Sequence, residues 1–589
     1  MEIGEASRPC IGINPIVDGR DSLRDGQTEA VMKMAKAVAR LIERHVRCSD
    51  GSFMRCFVPE SPTGSWAEAQ ALKRRFELES VGAIIHLSRA WSYPEEVAQF
   101  DARLPQAIWG FSGSNAPGTV FMGAVTSACA QNGIPVFKIY GRDIQKKDEF
   151  DIPVDVADKL LLFARCAGVV FSMRGTAYLR VGSDCMGIAA SHPDYDFFRA
   201  YLDMHVKAVD SAEILRRMKL RLYDERELSR ALTWTRANCA EGKDPNPSEK
   251  QFNCKQKDEI WRTNVEMTLI LLDMMRGNPA LKEAGYAEEA QNSRVSTASF
   301  QGQRQWTDWM PNSDFAESIL NSGFDWNGAR EPIPIATEGD FLQAVTMLWG
   351  KALTGCAQVF CDVRGYWSRE TLQKCFSEAP QLERDGFIYL TNSGSAALDA
   401  SMGARISEKP GMKPFWRLDS EDVLSCLRRT SWHAAKQAVF RGGGFSVSFL
   451  TPGGVPLTMI RLNMTKGIGP TLQVVQGHTI ELPENVTDQL VAQTDPTWPQ
   501  VFFVPDASPK NEKMVYDVVD CWGSNHCTLC YGHVAREMVT LASMLRIPVS
   551  LHNLSDQELF RPDVWRQFGA DDPTGADYRA CAAFGPLYR

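Results

Sequence analysis

The stretch "EPIPIATEGDFLQAVTMLWGKALTGCAQVFCDVRGYW", residues 331–367, is the part of the chain from which the fold is most readily inferred. Its "IPIAT" is typical of a buried strand, "DFLQAVTMLWGKALTG" of a helix and "QVFC" of a second strand. Glu338 follows the first strand and Asp362 ends the second. In a βαβ unit both carboxylates would lie at the carboxyl edge of one parallel sheet, where α/β proteins bind ligands. The pattern allows them to converge, but for an isolated pair of acids the favoured interpretation is that each caps a helix or pairs with a nearby arginine such as Arg364.

Further strand-like and helical runs alternate through the first 355 residues, which indicates parallel sheets covered by helices. Beyond residue 355 short strands are punctuated by Gly and Pro, a pattern typical of a β-rich unit. We predict an α/β protein with two Rossmann-like α/β domains, residues 1–172 and 173–355, and a β-rich carboxyl-terminal domain, residues 356–589. The second domain is expected to carry part of the functional site.

The overall composition excludes several classes of protein. The 589 residues have 44% hydrophobic and 23% charged residues, and a net charge of −8. This balance is that of a globular protein and argues against nucleic acid or an anionic membrane as a partner. No signal peptide or membrane span is visible in the sequence. We therefore expect a cytoplasmic protein whose 16 cysteines are reduced.

The segment "CWGSNHCTLCYGH", residues 521–533, contains a metal-binding or redox pattern. Cys527 and Cys530 have CxxC spacing, but a zinc ribbon needs a second such pair or two histidines nearby, and the chain has no other CxxC. A redox CxxC normally follows a strand, whereas the turn "WGSNH" precedes this one. Both cysteine interpretations are therefore weak, and a metal site that uses His526 stays open.

One histidine with two carboxylates is a ligand set for Mn²⁺, Mg²⁺ or Fe²⁺. A metal beside two carboxylates could polarise a carbonyl group and move a proton between adjacent carbons, which is the chemistry of aldose–ketose isomerisation. Sequence spacing alone does not join His526 to Glu338 and Asp362.

Several ordered motifs connect these residues through a family resemblance. The chain resembles the L-fucose isomerases over essentially its whole length, in stretches that include "IVDGR", "GIPVFKIYGRD", "CMGIAAS", "FQGQRQWTD", "FDWNGAREP", "ATEGD", "DVRGYWS", "NSGSAALD", "FRGGGFS" and "DYRACAAFGPLY". The resemblance implies a Mn²⁺-dependent homohexamer that interconverts L-fucose with L-fuculose, and D-arabinose with D-ribulose, through an ene-diol. It also implies that Glu338 and Asp362 are the acid/base pair and, with His526, the metal ligands.

The resemblance further implies a set of substrate-binding residues, with Met186 reaching across from a neighbouring subunit. These residues are Arg20, Trp91, Met186, Gln301, Ser393, Trp498 and Asn525. On this interpretation the CxxC is incidental and His533 is structural.

Departures from the family pattern lie around the expected substrate pocket. Val439 stands where the family usually has tyrosine, which removes a hydrogen-bonding phenol. The family's "ATEND" is "ATEGD" here, and "NHG" is "NHC". The three ligands are intact, so we expect the isomerase chemistry. Three alternatives remain: an isomerase that prefers another aldose, a family member that binds sugar without turnover, and a structural zinc site in an unrelated protein.

Overall fold

The computed structural model describes residues 8–98, 101–113, 118–146, 150–392, 394–403, 411–495, 497–507, 514–555, 559–569 and 571–589. Within these ranges it is a mixed α/β structure with two parallel sheets, one largely antiparallel sheet and two small antiparallel sheets of two strands each. No helix in these ranges is both long enough and apolar enough to span a bilayer.

The first unit is a parallel sheet with strand order β2-β1-β3-β4-β5. Its strands are β1 (Cys10–Ile16), β2 (Arg55–Phe57), β3 (Val81–Ser88), β4 (Gln106–Gly110) and β5 (Val136–Ile139). Its helices are α1 (Asp21–His45), α2 (Trp66–Leu78), α3 (Pro94–Val97), α4 (Gly118–Gln131) and α5 (Val154–Met173). Strands β1 and β3 are buried along their whole length, as expected for a sheet that is covered on both faces.

The second unit is also a parallel sheet, with order β11-β8-β6-β7. Its strands are β6 (Ala177–Val181), β7 (His205–Val209), β8 (Val295–Phe300) and β11 (Ile335–Ala336), and β9 (Phe324–Asp325) with β10 (Gly328–Ala329) forms a separate hairpin. Its helices are α6 (Tyr195–Leu202), α7 (Ala212–Leu220), α8 (Glu225–Asn238), α9 (Cys254–Arg276), α10 (Pro279–Glu283), α11 (Asp314–Asn321) and α12 (Phe341–Thr354).

The third unit is β-rich, as predicted. Strands β16, β19, β12, β13, β18 and β17 pair in that order, all antiparallel, and β17 pairs back to β16, so the strands close into a ring. Strand β20 adds to β17 in parallel. The strands of this sheet are β12 (Val359–Ser368), β13 (Gly386–Thr391), β16 (Pro456–Thr465), β17 (Gly469–Thr479), β18 (Gln500–Pro505), β19 (His526–Tyr531) and β20 (Val549–Leu551). A separate antiparallel pair is formed by β14 (Ser431–Ala434) and β15 (Phe445–Ser448).

The helices of this third unit lie between its strands or follow them. They are α13 (Arg369–Cys375), α14 (Ser420–Arg428), α15 (Glu484–Gln493), α16 (Val515–Asp520), α17 (Ala535–Leu545) and α18 (Pro573–Phe584).

Helix α12 joins the second unit to the third. Asp340 caps its first turn by accepting a hydrogen bond from the Gln343 amide at 2.9 Å, and Gly355 ends it in the left-handed conformation (φ +68°). Every residue from Phe341 to Leu353 is buried, because the helix packs between β8 and β11 on one side and β16 and β19 on the other.

The position of α12 corrects the βαβ prediction. Strand β11 belongs to the parallel second sheet, whereas β12 lies in the antiparallel ring, so Glu338 and Asp362 do not share a sheet edge. The physical reason is the burial of α12 on all sides. A crossover helix on a sheet face keeps one side for solvent, whereas a helix that is buried on every side, as α12 is, lies between two layers.

Residues 210–238 are helical in two separate pieces. The structure divides them into α7 and α8, because Arg221 turns to the left-handed conformation (φ +55°) and Asp224 caps a new helix.

Candidate active site

Glu338, Asp362 and His526 converge at the seam between the second sheet and the ring. His526 is the first residue of β19 and lies directly opposite Asp362 on β12. Its Nε2 atom is 3.2 Å from Oε2 of Glu338 and 3.4 Å from Oδ1 of Asp362. His526 is fully buried and the Asp362 side chain is 23% exposed, so the cluster opens to solvent on the Asp362 side. The convergence expected from the sequence is present, by a different route.

The turn after β11 aims Glu338 at the imidazole. Glu338 has φ +57° and Gly339 has φ +69°, so two consecutive residues are left-handed. The Gly339 amide donates to the Phe300 carbonyl at 2.9 Å, which anchors the turn to the end of β8. A left-handed conformation is unfavourable for a residue with a side chain, and such strained residues cluster at functional sites.

Two further charged residues, Asp340 and Arg461, lie on the Nδ1 side of the His526 ring. Oδ2 of Asp340 accepts a hydrogen bond from His526 Nδ1 at 2.7 Å and another from Nη1 of Arg461 at 2.7 Å. Both side chains are buried, with exposures of 0% and 2%. Sequence reasoning missed this pair. The available signals were the helix-capping position of Asp340, two residues after Glu338, and a lone arginine inside the apolar strand "LTMIRLNM".

The electrostatics of the cluster are dominated by burial and by mutual charge. Burial raises the pKa of Asp362 to about 6, although His526 opposes this shift. Burial opposes protonation of His526, but hydrogen bonds and charge from Asp340 and Glu338 prevail and raise its pKa to about 9. Burial also disfavours the Asp340 anion, yet Arg461 and His526 lower the pKa of this carboxyl to about 2. Three carboxylates thus face two cationic groups, the Arg461 guanidinium and the protonated His526 ring, and this excess of negative charge favours a further cation.

The donor set is compatible with a divalent cation. Two carboxylates and one imidazole nitrogen suit Mn²⁺ or Mg²⁺. The Nε2–oxygen distances are close to the roughly 3 Å that separates adjacent ligands on an ion with bonds of about 2.1 Å. The three side chains nevertheless contact one another directly, and no group of three or more His, Cys, Asp or Glu side chains in the described ranges has the arrangement of a formed metal site. The ligand types therefore fit a metal without showing which one.

Comparison with known proteins identifies the family of the chain. Family profiles described as the L-fucose isomerase first N-terminal, second N-terminal and C-terminal domains match residues 8–175, 176–355 and 390–553. The chain is 47% identical to an L-fucose isomerase of Vibrio vulnificus over 582 residues, covering 98% of this chain and 99% of the relative. It is 46% identical to one of Phocaeicola vulgatus and 45% identical to one of Haemophilus influenzae, with 99% of each chain covered. The chain belongs to the L-fucose isomerase family.

The substrate residues implied by the family lie at different distances from this centre. Asn525 is exposed beside it, with Nδ2 2.8 Å from His526 Nε2. Gln301 is buried at the end of β8, next to the turn that carries Glu338. Its Oε1 accepts from the Ser183 amide at 3.2 Å and its Nε2 donates to the Arg304 carbonyl at 2.6 Å. Gln301 therefore also holds backbone in place, as a buried amide is expected to do.

Trp498 and Met186 lie on segments that adjoin the cluster. Trp498 is half-buried, and the guanidinium of Arg364, two residues after Asp362, lies 5.8 Å from the centre of its ring. Met186 is 53% exposed and has φ +44°. Its segment packs on the Glu338 turn, since the Ser191 backbone and side chain border Gly339. Ser393 lies outside the described residues.

Arg20 and Trp91 lie on the first sheet, after β1 and β3. Arg20 is exposed and pairs with Asp18 at 2.6 Å, and Trp91 packs edge-on against Phe121. Among the described residues no hydrogen bond or ion pair joins either side chain to the cluster, so their family roles stay predictions. Val439, which replaces the family's usual tyrosine, is 50% exposed in the loop after β14.

The cysteines of the CxxC segment do not form a pair. Cys527 and Cys530 are both buried in β19, but they are three residues apart and point to opposite faces of the strand. They accordingly contribute to different hydrophobic clusters. Burial raises the pKa of each thiol, which keeps both protonated. His533 bonds to the Gly477 carbonyl at 2.9 Å instead of contacting the cluster. The described geometry offers no support for a zinc or redox role of this pair.

Proposed function

We propose that this member of the L-fucose isomerase family is a metal-dependent aldose–ketose isomerase that interconverts L-fucose with L-fuculose and also accepts D-arabinose. The observation that carries the proposal is the approach of Glu338 and Asp362 to one imidazole nitrogen, at 3.2 and 3.4 Å. Two carboxylates on one side of a small opening are the groups that a proton shift between neighbouring carbons requires.

Glu338, Asp362 and His526 would hold the metal, which we propose to be Mn²⁺. When bound, such an ion supplies positive charge that stabilises the oxygens of the sugar while charge develops on them. Cysteine ligands would favour a softer metal, and Cys527, which follows His526 on β19, points to the opposite face of the strand from the imidazole.

Glu338 and Asp362 would move the proton. One carboxylate oxygen takes the proton from C2 of the sugar and returns it to C1 of the ene-diol, while the other handles the proton between the two hydroxyl oxygens. Asp362 is more open to solvent than Glu338, with side-chain exposures of 23% and 10%. A ring-opened sugar therefore meets Asp362 first.

The remaining family residues would form the sugar pocket. Asn525, Gln301, Trp498 and Ser393 would contact the substrate within one subunit, together with Arg20 and Trp91, and Met186 would reach the pocket of a neighbouring subunit. If Met186 completes a neighbouring pocket, activity depends on assembly into a hexamer. A dilution series in which sedimentation and turnover are both measured would test this dependence.

We further propose three domains with boundaries near residues 172 and 355, of which the first two are Rossmann-like, and a cytoplasmic location. The parallel sheets on either side of residue 172 support the first boundary. Limited proteolysis with mass analysis of the fragments would locate both boundaries.

The test of function is ketose formation from L-fucose and from D-arabinose by protein stripped with EDTA, with and without added Mn²⁺. Glu338→Gln keeps the shape of the side chain and removes its charge. Glu79→Gln alters a carboxylate that pairs with Arg55 on the first sheet, remote from the cluster, and serves as the matched control.

We expect turnover that Mn²⁺ restores in the native protein and in Glu79→Gln but not in Glu338→Gln. The two sugars differ at the C5 methyl, which an apolar pocket discriminates by about 10- to 200-fold, so the ratio of kcat/KM values identifies the preferred one. A folded, Mn²⁺-loaded protein that converts neither sugar would refute the proposal.

A further inference from the structure

Asp340 is bonded on every side by elements that meet at the active-site seam. Its Oδ1 accepts the Gln343 amide of α12 at 2.9 Å. Its Oδ2 accepts both His526 Nδ1 on β19 and Arg461 Nη1 on β16, each at 2.7 Å. Both oxygens of this fully buried carboxylate are therefore occupied by donors from separate elements, which leaves it one orientation.

A second set of contacts holds the partners of Asp340. Nη1 of Arg461 also donates to Oε1 of Gln343 at 2.9 Å, and Nε2 of Gln343 donates to the Thr528 hydroxyl at 2.7 Å. Thr528 lies two residues after His526 on the same face of β19. Arg461 and Gln343 thus close a ring of hydrogen bonds with Asp340, and Thr528 links Gln343 to the strand that carries His526.

These hydrogen bonds determine which imidazole nitrogen of His526 carries the lone pair. An ionised carboxylate only accepts hydrogen bonds, so Nδ1 of His526 must carry the proton that it shares with Asp340. In the neutral ring Nε2 then carries the lone pair, and this atom faces Glu338 and Asp362 and accepts a hydrogen bond from Nδ2 of Asn525 at 2.8 Å. Arg461 neutralises the charge of Asp340, so the carboxylate orients the ring without adding net negative charge behind it.

We propose that Asp340 is a positioning residue that fixes the tautomer and rotation of His526, and that Arg461 with Gln343 fixes Asp340. The inference rests on the proposed function, since it gives His526 the role of a metal ligand through Nε2. Asp340 touches neither sugar nor metal in this scheme and acts only through the imidazole.

Asp340→Asn is the direct test. With its nitrogen at the Oδ2 position, the amide presents a donor to Nδ1, which favours the tautomer with the proton on Nε2 and removes the lone pair from the ligand position. With its nitrogen at the Oδ1 position, the amide opposes the Gln343 N–H and leaves only a neutral oxygen to hold Nδ1 and Arg461, so the ring is held less firmly. The loss of such a supporting partner typically weakens metal binding about 10- to 100-fold. We expect the affinity for Mn²⁺ to fall by this factor when Mn²⁺ alone is titrated into EDTA-stripped protein. Electron paramagnetic resonance measures the free Mn²⁺ in this titration.

A spectroscopic signature separates positioning from stability. Electron spin echo modulation from a coordinated ¹⁴N should be present with native protein and should be lost both in Asp340→Asn and in His526→Gln. Asp325→Asn is the matched control, because Asp325 also forms a buried pair with an arginine, Arg330, at 2.6 Å, in the hairpin β9–β10. Its affinity for Mn²⁺ and its nitrogen modulation should equal those of the native protein.

The outcomes distinguish this inference from the proposed function. Native affinity and native ¹⁴N modulation in Asp340→Asn would overturn the positioning role while leaving the metal site intact. Failure of the native protein itself to bind Mn²⁺ would overturn both. Should Asp340→Asn not fold, Arg461→Lys keeps the charge but loses the forked contact to Asp340 and Gln343, and we expect an intermediate loss of affinity. Unchanged affinity in that variant would also overturn the inference.

Discussion

Replacing Gly339 by alanine tests how strictly the turn that carries Glu338 is defined. Gly339 has φ +69°, and a Cβ atom placed there would lie 3.2 Å from Cβ of Ser191. Ser191 cannot easily move, because its hydroxyl donates to the Ile188 carbonyl at 2.7 Å and accepts from the Cys185 amide at 3.1 Å. Gly339→Ala therefore introduces both a strained backbone and a tight contact.

The magnitude follows from these two effects. A left-handed alanine costs about 1–2 kcal/mol, and the reduced freedom of the unfolded chain offsets about 0.4–1 kcal/mol of this. With the contact to Ser191 added, we expect the free energy of unfolding to fall by about 1–2 kcal/mol. A displacement of Glu338 approaching 1 Å would lower kcat/KM by up to about 100-fold.

Two further variants isolate the causes. Gly133 has a similar φ of +72° with open space around its Cβ position, so Gly133→Ala should lose some stability by the same backbone effect and keep native kcat/KM. Gly339→Asn brings the same Cβ contact but tolerates the left-handed conformation better, so it should fall between native protein and Gly339→Ala.

The assays are denaturant unfolding and the isomerase assay at saturating Mn²⁺. Native kcat/KM in Gly339→Ala would refute the claim that this turn positions Glu338. Equal losses of activity in Gly339→Ala and Gly133→Ala would show that the effect is general destabilisation.

Three other outcomes are expected. Val439→Tyr should lower KM for the preferred sugar by about 2- to 10-fold through one restored hydrogen bond, and the same gain in Val439→Phe would contradict this cause. Cys527→Ala and Cys530→Ala should each retain bound Mn²⁺ and turnover, because these thiols face opposite sides of β19; loss of metal in either would reinstate a cysteine site. Burial raises the pKa of Asp314 to about 8, so its stabilising protonation is complete below pH of about 4 and is lost as pH rises to about 8. Asp314→Asn should therefore flatten the decline in stability between pH 5 and 8, and an unchanged pH profile would argue against a protonated Asp314.

The sequence predicted the elements of the fold better than their arrangement. Local patterns located β11, α12 and β12 correctly, because the hydrophobic periodicity of a strand or helix is determined by residues that are close in sequence. They placed the strands in one sheet because most strand–helix–strand units form parallel pairs. The pairing of β12 with β19 depends on residues more than 160 positions away, which no local pattern can indicate.

The cluster of Glu338, Asp362 and His526 was likewise only partly predictable from local patterns. Glu338 and Asp362 were identifiable as acids that follow buried strands, but His526 was joined to them only by resemblance to a family. Asp340 and Arg461 escaped notice because each has an ordinary local role, as a helix cap and as a strand residue. Their function arises from a contact across 121 positions of the chain.

The seam location of the cluster has a consequence for biosynthesis. Asp340 and His526 are 186 positions apart in the chain, so the ribosome completes both parallel sheets and most of the ring before the imidazole emerges. A nascent chain at that stage displays Glu338 and Asp362 without the nitrogen between them and without the strand that aligns them. The centre is therefore assembled late, when β19 inserts between β12 and β16, and truncated products of translation lack the complete cluster of Glu338, Asp362 and His526.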